Sequence, residues 1–138
     1  MAAGRSTGRL LVGAWTGIVM LIAGLVVDLR WHAANGGFET ASDQVGAHWL
    51  IWLGVLVLLI VAVAGARRVL SRWYVGFRLL LLAVVCHVLI DVWHFWEHYN
   101  LRDPVVAHTL LAVLKAVMLA GVVTATPTQT TDITIWRR

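Results

Sequence analysis

The chain has 138 residues, 60% of them hydrophobic and 13% charged, with a mean hydropathy of +0.82. A soluble domain carries roughly 25% charge, so composition argues against a water-soluble globule. Two prolines and a lone cysteine, Cys86, likewise argue against disorder, a collagen-like repeat or a disulfide framework. The net charge of +4 does not point to a nucleic-acid partner, because the arginines stand between hydrophobic blocks as membrane-flanking charges do.

The first apolar block runs from Leu10 to Val27 and predicts a helix over about residues 10–32. Arg5 and Arg9 precede it as they would a signal peptide, but the block is longer than a typical signal core and runs on into charged and aromatic residues, so it is read as a span. The second block, Val45 to Ala66, predicts a helix over 42–66, entered through a capping box at Thr40-Ala-Ser-Asp43. The third, Phe77 to Ile90 with an aromatic extension to Tyr99, predicts a helix over 73–99. Asp103-Pro104 places an N-cap before a proline at the first helical position and opens the fourth, predicted over 104–125. Each block is near the roughly 20 residues that cross a bilayer, and together they occupy most of the chain as one domain. Short connections after the first and third helices favour antiparallel neighbours. The expected fold is therefore an all-α, integral membrane four-helix bundle, up-down-up-down, built from two similar helical hairpins. The tail over Thr126–Thr134 shows no chemistry and is assigned no function.

Orientation follows from the arginines, which are enriched in loops retained in the cytoplasm. Arg5 and Arg9, then Arg67, Arg68, Arg72 and Arg78, then Arg137 and Arg138 mark one side, whereas Arg30 and Arg102 on the other are offset by Glu39, Asp43 and Asp103. A multi-pass protein of the cytoplasmic membrane with both termini cytoplasmic is expected.

Polar residues placed by depth collect near the outer ends. At 1.5 Å per residue, Asp28, His48, His94 and His108 fall roughly 6 to 9 Å below the surface, on four different helices. His87, Asp91, His94 and His98 are separated by four, three and four residues, which holds them within roughly 60° of one another on the third helix. Asp28 and His32 share a face of the first helix, and His108 and Lys115 a face of the fourth. Ionisable groups in a membrane turn inward or toward a water-filled cavity, so these stripes are expected to face each other. A duplication supports that arrangement: Asp28-Leu-Arg-Trp31-His32 followed by Ala47-His48 is echoed by Asp91-Val-Trp93-His94 followed by Ala107-His108. Two related hairpins around a pseudo-two-fold axis along the membrane normal are the natural reading.

A single histidine beside a tryptophan, as in Trp31-His32, is ordinary in the interfacial belt. The set is different, because a carboxylate buried without a cation or hydrogen-bond partner costs several kcal/mol. A metal ion supplies the compensation, and Asp28, His32, His48, Asp91, His94, His98 and His108 are the candidate ligands, with Glu97 and His87 as supporting groups around them. Imidazole with carboxylate suits iron, copper, zinc or manganese, and the absence of clustered cysteine argues against an iron–sulfur cluster. The ligands exceed what one ion uses, so two ions, or one with a generous outer set, fit; copper or iron is favoured over zinc. Bis-histidine haem would leave the carboxylates unexplained. Lys115, about 18 Å below the outer end and level with His87, is expected to ion-pair with Asp91 or else to act catalytically on an anionic oxygen or a proton. Cys86 points roughly 100° off the stripe and reads as a packing residue.

Asp91-Val-Trp-His94 resembles the Glu-x-x-His spacing of di-iron bundles, with Asp in place of Glu. Asp28-x-x-x-His32 with His48 on the next helix resembles the Asp-x-x-x-His…His copper site in the C subunit of particulate methane and ammonia monooxygenases. The spacing to His48 is longer here and this chain has fewer spans. By that resemblance Asp28, His32 and His48 are metal ligands and the chemistry is oxidation of small apolar molecules with dioxygen. No Ser, Cys and His form a nucleophilic triad. The expected function is a membrane metal-dependent oxidoreductase acting on a lipid-soluble or small apolar substrate near the extracytoplasmic face. The alternatives are a copper or zinc binding, storage or sensing protein, or an accessory subunit of a larger membrane complex. A homo-oligomer is compatible with either.

Overall fold

The computed structural model describes residues 2–35, 41–67, 74–99 and 105–126. Within them the chain is four helices: α1 Ala2–Asn35, α2 Ala41–Ala66, α3 Tyr74–Tyr99 and α4 Val105–Ala125, with no strand among the described residues. All four contain a stretch long and apolar enough to cross a membrane, Gly8–Asn35, His48–Ala66, Val75–Glu97 and Val105–Ala125. The protein is a multi-pass membrane four-helix bundle. Helices are the form such a chain takes, since each satisfies its backbone N–H and C=O groups internally where no water is available.

Three helices begin and end close to where the hydropathy blocks predict, but α1 starts at Ala2 rather than near Leu10. Hydropathy marks the part of a helix inside hydrocarbon. Nothing in Gly4-Arg5-Ser6-Thr7-Gly8 breaks a helix outright, so the turns ahead of the span remain helical. α2 and α4 begin at Ala41 and Val105, directly after the expected caps. The capping groups Thr40 to Asp43 and Asp103-Pro104 lie outside the described residues or side chains.

The helices pack in ring order. α1 lies closely along α2 and α3 along α4, a lesser α2–α3 seam joins the hairpins, and α1 and α4 touch only sparsely. Without a hydrophobic force between helices in lipid, association depends on close backbone approach and interhelical hydrogen bonds. Glycine provides the approach. A methyl group added at Gly17 would stand 2.7 Å from Leu58 and 3.2 Å from the Gly54 carbonyl oxygen, and one at Gly24 would stand 2.7 Å from the Ile51 nitrogen. In the other hairpin, a methyl group at Gly76 would meet the backbone of Ala125 and stand 2.6 Å from the Gly121 carbonyl oxygen. Many large side chains face outward into the lipid position, among them Val12, Leu56, Leu89 and Val92. The hydroxyls of Thr16, Thr109 and Thr124 donate to carbonyls one turn back, at 2.9, 2.8 and 2.7 Å, which keeps them satisfied in hydrocarbon.

The bundle has two chemically different ends. Toward the end carrying both termini, Ala14, Ile18, Leu58, Ala62, Phe77, Leu80, Val84, Met118 and Val122 form a dry core. Toward the end carrying the α1–α2 and α3–α4 connections, apolar packing gives way to histidine and aspartate.

Candidate metal centre

α1 brings Asp28 and His32 to the hairpin end one helical turn apart, and α2 brings His48 opposite them. His32 Nε2 lies 3.4 Å and His48 Nε2 3.3 Å from Asp28 Oδ1. Neither is aligned as a hydrogen bond, so this buried oxygen has no hydrogen-bond donor among the described residues. Two ligands on one ion with bonds of about 2.0–2.1 Å stand roughly 2.8 to 3.4 Å apart, from right-angle to tetrahedral geometry. Each imidazole nitrogen taken with the Asp28 oxygen has the separation of two adjacent ligands.

α3 and α4 arrange the same residue types differently. His94 Nε2 and His108 Nε2 are 2.8 Å apart, with the rings edge-on at 4.4 Å between centroids. In neutral tautomers one nitrogen donates and the other accepts; the distance also matches two ligands at a right angle on one ion. The second ring nitrogen of His94, Nδ1, is turned toward Asp91 Oδ1 at 3.8 Å. Asp91 Oδ2 accepts a hydrogen bond from Trp52 Nε1 at 2.8 Å. Trp52 also stacks on His48, 6.2 Å between centroids and 25° between planes, while His48 and His94 approach to 6.1 Å and join the two half-sites.

Asp28, His32, His48, Asp91, His94, His108 and Lys115 all line one partly open cavity of about 440 Å³, with Leu25, Leu29, Ile51, Leu111 and Ala112 on its apolar side. His48 and His94 are buried. A void of about 10 Å³, close to one water, lies between His48, Trp52, Asp91, His94 and Phe95.

Some expected members fall elsewhere. His87 is buried at 1% exposure and both its ring nitrogens lack hydrogen-bond partners among the described residues. It does not line the cavity, so the expected stripe on α3 divides between His87 and Asp91, where the histidine side meets the dry core. Glu97 accepts from Trp93 Nε1 at 3.0 Å along α3 and is not on the cavity wall. The His98 side chain lies outside the described residues. Lys115 shares the cavity with Asp91, yet the expected ion pair is not formed at contact distance among the described residues; the indole of Trp52 occupies Asp91 instead. Trp52 is the residue that sequence reasoning missed. Its spacing of four from His48 on one helix face was the available signal.

Among the described residues, no three His, Cys, Asp or Glu side chains are gathered closely enough to hold an ion as they stand. Asp28 with His32 and His48 brings three candidate ligands around one buried carboxylate oxygen that has no hydrogen-bond partner among the described residues. Comparison with protein-family models, curated proteins and solved structures gave no match. The fold defines a class, a four-helix membrane protein with a polar cavity at one end, and the cavity carries any functional reading.

Proposed function

We propose that the Asp/His cavity is a transition-metal centre of a membrane oxidoreductase, binding copper or iron and oxidising an apolar or lipid-soluble substrate with dioxygen. The observation that carries this reading is the buried Asp28 oxygen, faced at 3.3 and 3.4 Å by two imidazole nitrogens and hydrogen-bonded by no group among the described residues. A carboxylate kept in that state is costly without a cation. Three protein ligands with an open position are the usual pattern of a catalytic metal site, and the ligand set lacks the thiolates of a structural one.

The proposal assigns one ion to each hairpin. Asp28, His32 and His48 hold the first, and the paired Nε2 atoms of His94 and His108 hold the second. Asp91 then supports His94 rather than binding metal, in the manner of carboxylate–histidine–metal relays that fix the tautomer of a ligand, and Trp52 fixes Asp91. When bound, the metal supplies electron transfer and dioxygen activation. The chain's own groups orient the ligands, and Leu25, Leu29, Ile51, Leu111 and Ala112 exclude water and receive an apolar substrate.

The arginine distribution supports the cytoplasmic membrane with both termini inside and the cavity toward the outside. A cysteine placed at Gly37 is then labelled by an impermeant reagent from outside and one at Ser71 is not; the reverse pattern overturns the orientation. The metal reading is tested by elemental analysis, optical and EPR spectra of protein purified without added metal and again after loading with copper or iron. Stoichiometric binding with a histidine-ligand spectrum is expected. No retained metal in either preparation overturns the reading.

A further inference from the structure

The α1–α4 seam differs from the other three. α1 and α4 touch sparsely, and near the termini end they are tied by Trp15 Nε1 donating to Thr126 Oγ1 at 3.3 Å, with Thr126 donating in turn to the Val122 carbonyl at 2.8 Å. Above that tie the helices part around a cleft of about 190 Å³ lined by Ile18, Leu21, Ile22, Leu25, Lys115, Ala116 and Leu119. All of its walls except Lys115 are apolar. From Ile18 to Leu25 it extends about 10 Å along the membrane normal. Leu25 and Lys115 line both this cleft and the polar cavity, so the two volumes adjoin, with an open apolar cleft below, the aspartate and histidine groups above and an ammonium at the junction.

We infer that the α1–α4 cleft admits a single-chain lipid carboxylate from the bilayer, with its alkyl chain between Ile22, Leu25 and Leu119 and its carboxylate on Lys115 beneath the histidines. Charge complementarity selects this occupant. In a cavity holding metal, the negative charges of Asp28 and Asp91 are offset by the ions and their imidazoles. Lys115 has no carboxylate at contact distance among the described residues. A cation in hydrocarbon is expensive unless an anion or water meets it, and an anion arriving through lipid carries an alkyl chain. The inference deepens the proposed function by naming its substrate class and rests on that reading only for the neutralisation of the aspartates.

The test uses the full chain in phosphatidylcholine nanodiscs, with diazirine-bearing dodecanoate and the matching dodecanol as photoprobes. Metal content is measured on the same samples. The expected result is dodecanoate labelling concentrated on Ile22, Leu25 and Leu119. Labelling should fall roughly tenfold in Ile22→Trp and in Ala116→Trp, two independent ways to fill the cleft, at unchanged metal content. Lys115→Met should remove the preference for dodecanoate over dodecanol. Labelling spread evenly over lipid-facing residues such as Leu56 and Leu89, or undiminished in both tryptophan variants, overturns the cleft as the site. A carboxylate preference that survives Lys115→Met overturns the headgroup assignment. Failure of the metal reading is visible separately, as absent metal in the parent sample whatever the labelling pattern.

Discussion

In the α1–α2 hairpin the carboxylate stands at the centre of its polar group, with Asp28 Oδ1 facing two imidazole nitrogens. In the α3–α4 hairpin two imidazoles face each other at 2.8 Å, while the carboxylate stands behind them on a tryptophan. The same residue types, in the same order along the chain, therefore do different work. The glycine contacts differ in the same sense. Gly24 approaches Ile51 one turn from Asp28, whereas the Gly76–Gly121 contact lies about 22 Å along α3 from Asp91. The first hairpin is held close along its length, from Gly13 against Val61 to Gly24 beside its polar group, and the second at the end far from its polar group. What a duplicated motif specifies is the level of its polar residues; which of them becomes central depends on how closely the helices carrying them approach.

The largest expected difference is between the two aspartates. Asp28→Asn should lower the affinity for metal in its half-site by more than roughly 100-fold, because it removes a ligand charge, whereas Asp91→Asn, acting through His94, should cost roughly 10- to 100-fold. Titration with copper in detergent separates the two. Equal losses would mean that Asp91 binds metal directly and that the hairpins are alike.

Clamp position gives the next contrast. Gly24→Ala and Gly76→Ala each force a methyl group into a neighbouring helix backbone, and each should destabilise the bundle by about 1–3 kcal/mol, measurable as a lower Tm. Only Gly24→Ala should also weaken metal binding, since Ile51 and His48 share the first turns of the membrane part of α2. If Gly76→Ala weakened metal binding as much, the two ends of the bundle would not be separable.

Trp52→Phe is the mildest change. It removes the hydrogen bond to Asp91 and keeps the stack on His48. Interhelical hydrogen bonds in membranes average about 0.6 kcal/mol, so a small loss of stability is expected, together with an altered His94 signal in the spectrum of the bound metal. An unchanged spectrum would remove Asp91 from any role in orienting His94.

The spans were legible because lipid demands about 20 apolar residues from each helix, and nothing else in the sequence competes with that signal. The common level of His48, His94 and His108 was legible for a similar reason, as helical rise converts sequence spacing directly into depth. The floor of the cavity is not fixed so firmly. His87 shares a 60°-wide stripe with Asp91 by spacing but lies one turn, about 6 Å, deeper, and only the packing of the four helices decides that the cavity reaches Asp91 and stops short of His87. The partner of Asp91 was hidden because rotation about the helix axes is likewise set by packing. Lys115 and Trp52 were both within reach by depth, and only the α2–α3 seam decides that the indole meets the carboxylate. The sparse α1–α4 seam leaves no mark in the sequence, because it depends on packing between the two helices farthest apart in the chain.

The central claim, one ion per hairpin, is tested most directly by metal stoichiometry in the parent, in Asp28→Asn, in His108→Ala and in the double variant, each loaded with copper and freed of excess. The account predicts two ions in the parent, about half that content in each single variant and none in the double. Complete loss of metal in either single variant, or full retention in the double, would contradict it.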